Sequence, residues 1–337
     1  MIPMEPVHDQ EIMDRAQKLY ALRPAVEKIA DAVCEKGFTN ILFTSAGGSL
    51  ASLSPFCEML KYKTTIPSFT EIPAELVTIG NPEITDQTLA VMTSKSGDTI
   101  ETLNAAKWLK ERHVTIVSFC GEENSPIAQE STHSICYREA EPHDLIPIFF
   151  IGKIMKNRGF FDDYESFADE LQNLGKIWTT SLREAEPVAQ EYAAYFDPVD
   201  KDFQMWVGSG MTWGQTYNMA MCVLEECQWL RTQSVHAADF FHGALEIVER
   251  NVLVCVSMGA GPTRPLDQRV VRFASRHTNQ LVVFDTRTLS VPGVEEKYRW
   301  MLSPVLLLAM FERTFRYLAD VRKHDMEIRR YYRRLSY

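Results

Sequence analysis

One order of elements occurs twice along the chain, and this repeat most constrains the fold. In the first half, an apolar strand over 40–44 precedes the loop SAGGS, a helix is expected over about 50–62, and the run Leu89–Met92 precedes TSKSGDT. The second half returns to this order with FQMWVGSG, a long helix and NVLVCVSMGAG. Gly47 and Ser94 are 47 positions apart, and Gly208 and Ser257 are 49 apart. The chain therefore reads as two copies of one unit.

Short apolar runs that alternate with amphipathic helical segments predict an α/β fold in which helices cover both faces of parallel sheets. We expect two tandem subdomains, each a doubly wound, flavodoxin-like parallel sheet flanked by helices. The expected division is an N-terminal helix over 1–39, a first subdomain over 40–160, a linking helix over 161–202 that ends at the turn Asp197-Pro198, a second subdomain over 203–320 and a basic aromatic tail over 321–337.

The loop after Leu89–Met92 is crowded with hydroxyl groups. A single Ser or Thr would suffice to cap the following helix. Here Ser94, Ser96 and Thr99 surround Gly97 within one turn of a helix N-terminus, where free N–H groups and the helix dipole favour an anion. The loop predicts a phosphate cradle at the carboxyl ends of the strands, where such sheets bind ligands. Lys95 inside it is either a solvated side chain or a phosphate ligand.

The composition excludes several classes of function. With 45 acidic against 35 basic side chains the net charge is −10, which opposes a general nucleic-acid surface. The opening MIPMEPVHDQ contains no apolar leader, and no apolar run reaches the roughly 20 residues of a membrane span, so a cytoplasmic location is expected. Seven cysteines without a CxxC pair indicate reduced thiols and no metal site.

The densest polar stretch runs over 221–249 and begins inside an apolar helix. Glu225 and Glu226 both fall in that helix. The spacing of the apolar residues around them does not decide which of the two faces solvent and which faces a ligand. From composition alone each is a surface carboxylate or a catalytic base. His242, before Gly243, is likewise a structural histidine at a turn or a catalytic one. His236 and Glu246 are expected either to be structural or to support the residues that contact the ligand.

These residues carry a resemblance. SAGGS, SKSGDT and the spacing from Glu226 to the motif FFHG resemble the sugar isomerase (SIS) family, which handles phosphosugars, and the resemblance extends from about residue 40 to the C-terminus. EECQWLRTQSVHAADFFHGALEI and the ending RRYYRRLSY are similar to the branch of fructosamine 6-phosphate deglycases. The isomerase domain of glucosamine 6-phosphate synthase is a more distant likeness.

The resemblance implies roles for particular residues. Glu226 would be the general base, and His242 would assist ring opening. A homodimer with the site at its interface, the histidine contributed across it, is implied, and no metal or redox cofactor is expected. The residues implied to hold the phosphate and sugar are Gly47, Gly48, Ser49, Ser94, Lys95, Ser96, Gly97 and Thr99.

The chain departs from the family pattern at several positions. Ala46 stands where a cysteine is common, Ala238-Asp239 replace Gly-Glu, and Ala244 replaces a proline after His242-Gly243. Asp239 has a shorter reach than Glu, and a rigid turn is lost at Ala244, so the identity of the sugar amine stays open.

The expected reaction cleaves a phosphorylated sugar-amine compound such as fructoselysine 6-phosphate to glucose 6-phosphate and a free amino acid. Abstraction of the acidic C1 proton by Glu226 would give an enaminol, and protonation at C2 an imine that water hydrolyses. Glucoselysine 6-phosphate, which would yield fructose 6-phosphate, suits the same residues. A phosphosugar aldose-ketose isomerase and a non-catalytic phosphosugar sensor are the remaining alternatives. The basic tail would close over the site or remain solvated.

Overall fold

Two parallel β-sheets, one in each half of the chain, organise the molecule. The computed structural model describes residues 6–196 and 203–335. The described residues divide into an N-terminal unit (10–175 and 293–295) and a C-terminal unit (6–9, 176–196, 203–292 and 296–335). Helices flank both sheets, so the predicted α/β class with two doubly wound parallel sheets is confirmed.

The sheet of the N-terminal unit has five strands in the order β2-β1-β3-β4-β5, which is the flavodoxin-like order. All four strand pairs are parallel. The strands are β1 (Asn40–Thr44), β2 (Ser68–Glu71), β3 (Thr88–Ser94), β4 (Thr115–Cys120) and β5 (His133–Cys136). The helices are α1 (Asp9–Ala21), α2 (Arg23–Lys36), α3 (Gly48–Lys63), α4 (Pro73–Ile79), α5 (Ile100–Glu111), α6 (Pro126–Glu130), α7 (Pro147–Asn157) and α8 (Tyr164–Glu170).

The sheet of the C-terminal unit repeats this order with four parallel strands, β7-β6-β8-β9. Its strands are β6 (Gln204–Gly208), β7 (Thr232–His236), β8 (Leu253–Met258) and β9 (Leu281–Asp285). Its helices are α9 (Leu174–Glu184, which begins in the N-terminal unit), α10 (Glu186–Ala194), α11 (Trp213–Tyr217), a π-helix (Asn218–Glu225), α12 (Glu226–Gln228), α13 (Arg264–His277) and α14 (Arg299–Arg322).

The central strands are apolar on both faces because helices cover both. Strands β4, β6 and β8 are buried along their whole length. In the N-terminal unit, Met92 of β3 and Ile116 of β4 pack with Ala105 and Leu109 of α5 in one cluster. This is the continuous hydrophobic pattern of a parallel sheet, and because of it these strands could be predicted from the sequence.

The structure differs from expectation in the first forty residues and between the two sheets. The expected leading helix is two helices, α1 and α2, and the stretch expected to be one linking helix contains α8, α9 and α10. Pro24 and Pro187 each stand at the start of a new helix, where a missing N–H costs nothing. The expected turn Asp197-Pro198 lies outside the described residues. Across 6–196 and 203–335, no helix is both long and apolar enough to cross a membrane.

Arg23 ties α2 to α8. It is 9% exposed, and its guanidinium bonds to Glu27 at 2.5 Å, Asp169 at 2.5 Å and Glu165 at 2.7 Å. We predict that Arg23→Met lowers the free energy of unfolding, measured by urea denaturation, by about 2–3 kcal/mol. This is less than a fully buried pair would lose, because Glu165 and Asp169 can turn to water whereas Glu27 stays half-buried.

Arg15→Met is the matched control, because the ion pair of Arg15 with Glu11 is exposed on both sides. Its change in unfolding free energy should stay within about 0.5 kcal/mol. Equal effects of the two substitutions would show that the contacts of Arg23 contribute nothing beyond those of a surface pair.

Asp267 is a fully buried acid in the C-terminal unit. Its Oδ1 accepts the Ser209 hydroxyl at 2.6 Å. Burial raises the pKa of Asp267 to about 7, against the Ser209 hydrogen bond and the charge of Arg264. The folded state therefore binds the carboxyl proton of Asp267 more tightly than the unfolded chain does. The stability that this proton contributes at acid pH is lost as the pH rises towards 7.

We predict that the unfolding free energy of Asp267→Asn, taken relative to that of the unsubstituted protein, increases by about 2–3 kcal/mol as the pH rises from 5 to 8. The reason is that the amide has no proton to lose. Urea denaturation across this range measures it, and Asp239→Asn at an exposed position is the control. A difference between Asp267→Asn and the unsubstituted protein that does not change with pH would contradict the prediction.

Candidate active site

The hydroxyl loop lies at the point where the strand order of the N-terminal sheet reverses. Strands β1 and β3 are neighbours, and the chain continues from β1 to β2 on one side and from β3 to β4 on the other. The loops that follow β1 and β3 therefore open side by side at their carboxyl ends. This crevice is the ligand position of open α/β sheets.

Ser94 and Gly97 give the hydroxyl loop its shape. Ser94, 2% exposed, accepts the Gly97 N–H through its Oγ at 3.0 Å, and its Oγ lies 3.5 Å from Oγ1 of Thr99. Gly97 has φ +67°, and an added Cβ would lie 2.2 Å from Oγ of Ser125. Glycine is therefore favoured at this position for two reasons: the backbone has a positive φ, and a Cβ would clash with Ser125.

The remaining hydroxyls of the loop have different surroundings. Ser96 donates a hydrogen bond to the Asp98 carboxylate. Thr99 immediately precedes the twelve-residue helix α5, yet its side chain makes no capping bond. The capping interpretation is therefore wrong for Thr99, and the first turn of α5 receives no bond from that side chain. N–H groups at such a turn suit an anion.

The loop after β1 is held against the hydroxyl loop. Ser45 donates from Oγ to the Thr93 carbonyl at 2.9 Å and accepts the Thr93 N–H at 2.9 Å. The Ala46 N–H donates to Oγ1 of Thr102 in α5 at 3.1 Å. Gly47, with φ 55°, then turns the chain into α3. Two helix N-termini thus open beside each other, and a glycine with a positive φ lies shortly before each of them.

The other predicted cradle residues lie around this opening. Gly48 is the first residue of α3 and Ser49 follows it, half-buried in the first turn. Lys95 is exposed on the hydroxyl loop. The structure places all eight predicted cradle residues in these two loops or in the first turn of α3, and their binding of phosphate stays a prediction.

Glu225 and Glu226 face different neighbours in the C-terminal unit. Glu225 is exposed and accepts a hydrogen bond from Oγ1 of Thr232 at 2.7 Å. Glu226 is half-buried, and its Oε1 accepts from Nε of Arg329 at 2.7 Å. The residues before Glu226 form a π-helix, a rare element that often occurs at functional sites.

The C-terminal tail packs on the end of the Glu226 helix, at least to Arg330. The side-chain amide of Gln228 donates to the His324 carbonyl at 3.0 Å, and the guanidinium of Arg330 lies 4.0 Å from the ring centre of Trp229. Together with the bond from Arg329 to Glu226, these contacts make the tail part of the surroundings of the candidate base. The sequence left open whether the tail was ordered here.

His242 stands on a surface loop of the C-terminal unit. It closes a 3-10 turn before Gly243, and its ring is exposed and makes no hydrogen bond or ion pair among the described residues. His236 contrasts with it, because its ring packs on Trp213 and accepts the Ala238 N–H at 3.2 Å. Glu246 is exposed.

One group of polar residues near the hydroxyl loop escaped the sequence analysis. Glu141, His143 and Asp144 lie in the loop after β5. That strand, HSIC, is short and half polar, so no strand was expected to place the following loop beside the cradle. No group of three or more His, Cys, Asp or Glu residues in the described ranges could hold a metal ion.

The N-terminal unit is a flavodoxin-like sheet with a glycine loop and a hydroxyl loop at its switch point. Residues 40–153 match the family model of the SIS domain. This match confirms the resemblance to the SIS family seen in the sequence.

Similar proteins match over most of their length. The chain is 24% identical over 312 residues to the fructosamine deglycase FrlB of Bacillus subtilis, covering 90% of this chain and 94% of the relative. It is 22% identical over 325 residues to the fructoselysine 6-phosphate deglycase of Escherichia coli, covering 92% and 90%. The solved structure of a Bacillus subtilis protein described as a candidate phosphosugar isomerase superposes with a TM-score of 0.84 at 22% identity, covering 97% and 99%.

We predict that Gly97→Ala abolishes the cradle. Alanine there combines an unfavourable positive φ with a clash against Ser125, so the loop must move. The dissociation constant for glucose 6-phosphate, measured by calorimetry, should rise at least about tenfold.

Gly159→Ala is the control, because Gly159 also has a positive φ, +77°, but an added Cβ meets nothing within 4 Å. It should bind as the unsubstituted protein does, with a similar backbone strain. Unchanged affinity in Gly97→Ala would show that the phosphate lies elsewhere.

Proposed function

We propose that this protein is a deglycase that cleaves a phosphorylated sugar-amine compound to a hexose 6-phosphate and a free amine. Fructoselysine 6-phosphate, cleaved to glucose 6-phosphate and lysine, is the proposed substrate type. The enzyme would act in the cytoplasm, with no metal or redox cofactor. The Bacillus subtilis and Escherichia coli relatives described above are named as deglycases and match nearly end to end.

The observation that carries the proposal is the paired-loop opening at the switch point of the N-terminal sheet. Backbone N–H groups of two helix first turns and the hydroxyl of Thr99 suit a phosphate group, and exposed Lys95 adds a positive charge. The net charge of the chain is negative, so this opening is a local site for an anion rather than part of a general basic surface.

Glu226 is the proposed base. Once the sugar ring opens, the C1 proton beside the C2 carbonyl is acidic, and a carboxylate within hydrogen-bond reach can remove it. Protonation at C2 gives the imine, and water completes the cleavage. Glu226 suits this task better than Glu225 because it is half-buried and oriented by Arg329, whereas Glu225 is exposed and bonded to Thr232.

His242 is proposed to move the proton that opens the ring. The imidazole ring of His242 is exposed and has no hydrogen-bond partner among the described residues, as expected for a side chain that acts on another protein surface. We propose a homodimer in which His242 reaches the site of the partner subunit. A histidine suits this role because an imidazole can both give and take a proton near neutral pH.

We predict that Glu226→Gln lowers kcat for amine release by about 10²–10⁴-fold, the usual contribution of a general base, while glucose 6-phosphate still binds. Purified protein is given fructoselysine 6-phosphate and, separately, glucoselysine 6-phosphate, and the free amine and the hexose 6-phosphate are measured by coupled assays. Glu225→Gln is the matched control and should stay within a few-fold of the unsubstituted rate.

The products distinguish the candidate reactions. Glucose 6-phosphate from the first substrate identifies a ketoamine deglycase, whereas fructose 6-phosphate from the second identifies the 2-amino regioisomer. Phosphosugar interconversion without amine release would replace the deglycase with an isomerase. Loss of activity in Glu225→Gln but not in Glu226→Gln would assign the base to the neighbouring carboxylate.

A further inference from the structure

Carboxylates lie near both ring nitrogens of His143 in the loop after β5. Its Nδ1 lies 2.8 Å from Oε2 of Glu141, and that oxygen also accepts the His143 backbone N–H at 3.1 Å. Its Nε2 lies 3.7 Å from Oδ1 of Asp144. Glu141 therefore fixes the ring and its backbone together, and neither residue has a role in the reaction proposed above.

The His143 ring is also fixed from one face. It stacks on Tyr137 with ring centres 4.8 Å apart and an angle of 4° between the planes. Tyr137 is 5% exposed, and its hydroxyl interacts with the side chain of Thr93, next to Ser94 of the hydroxyl loop. The imidazole is thus held in one orientation beside the strand that carries the cradle.

Main-chain contacts join the loop of His143 to the loop of Lys95. The Tyr137 N–H donates to the Cys120 carbonyl at 2.9 Å, and the N–H of the following Gly121 donates to the Ser94 carbonyl at 3.1 Å. An added Cβ at Gly121 would lie 2.3 Å from the Lys95 carbonyl oxygen. The two loops therefore cannot move apart independently of β4.

Three charged groups act on His143: Glu141 and Asp144 from its own loop, and Lys95 from the hydroxyl loop. Burial lowers the pKa of His143, but Asp144 and Glu141 outweigh it and raise that pKa above its usual value, while Lys95 opposes them. The charge of Lys95 also helps to keep the pKa of Glu141 low. The charge of Lys95 therefore acts on both members of the pair.

We propose that His143, oriented by Glu141, is a positioning residue for Lys95 and places a second, proton-dependent positive charge beside the phosphate cradle. This inference rests on the proposed function, since it takes Lys95 as part of the cradle. Glu141 holds Lys95 near the opening by attraction, and the protonated imidazole stops the ammonium from collapsing onto the carboxylate. Lys95 then remains available to the ligand.

Proton uptake on ligand binding follows from this arrangement. A bound phosphate dianion stabilises the imidazolium, so affinity gains from His143 below the pH at which it loses its proton and not above it. The phosphate group has its own ionisation near pH 6. That contribution is the same for every variant, so it cancels in the ratio of two dissociation constants.

The test measures the dissociation constant of glucose 6-phosphate by calorimetry at pH 6, 7, 8 and 9 for the full-length protein and its variants. His143→Gln should bind about fivefold more weakly than the unsubstituted protein at pH 6, the effect of one nearby partly screened charge. The ratio should fall to about 1 at pH 9. Glu141→Gln keeps the ring but loses the carboxylate that stabilises its proton, so its ratio should exceed 1 in the middle of the range and return towards 1 at both ends.

His133→Gln is the control, because His133 is half-buried at the start of β5, away from the loop that follows its end. Its affinity should match the unsubstituted protein at every pH. A ratio for His143→Gln that is constant across pH would overturn the proposal. The proposal would also be overturned if Glu141→Gln bound glucose 6-phosphate like the unsubstituted protein at every pH. This second variant keeps the test decisive if His143→Gln does not fold. If the folded, unsubstituted protein bound no glucose 6-phosphate, the proposed function would fail first and this inference with it.

Discussion

The Ser45 side chain bridges the two strands between which the candidate site opens. One buried hydroxyl bonds to both backbone groups of Thr93, so it fixes the spacing of the loops after β1 and β3. The matching edge of the second sheet is built differently, because there Ser209 bonds to the buried carboxylate of Asp267. The two halves therefore share a fold but are built differently at this edge of the sheet. Repetition of a fold does not imply repetition of a function.

The central strands could be predicted because a parallel sheet covered on both faces needs long apolar runs. The edge strands β2, β5 and β7 could not, since each is short and only partly buried, and their pairing depends on a neighbour distant in sequence. The missing edge strands also limited the prediction of the site. Without β5 there was no reason to place Glu141 and His143 near the hydroxyl loop, although the loop itself was evident from its composition.

The sequence also left Glu225 and Glu226 equivalent, and only the resemblance chose between them. Two tertiary contacts separate the pair: Thr232 lies seven residues after Glu225, whereas Arg329 lies 103 residues after Glu226. Neither contact has a local sequence signal. The hydroxyls of the cradle show the opposite case, since their spacing around Gly97 is local and the turn that requires glycine is visible in the sequence.

The π-helix before Glu226 decides how a change of length in this segment affects the candidate base. Its wide turns accommodate a residue more than an α-helix of the same span. Removing one residue from 218–225 would turn the segment back towards an α-helix and leave Glu226 in its place beside Arg329. The same deletion in a regular α-helix would rotate everything after it by about 100°. A difference of one residue between relatives within 218–225 is therefore compatible with the same side chain meeting the arginine.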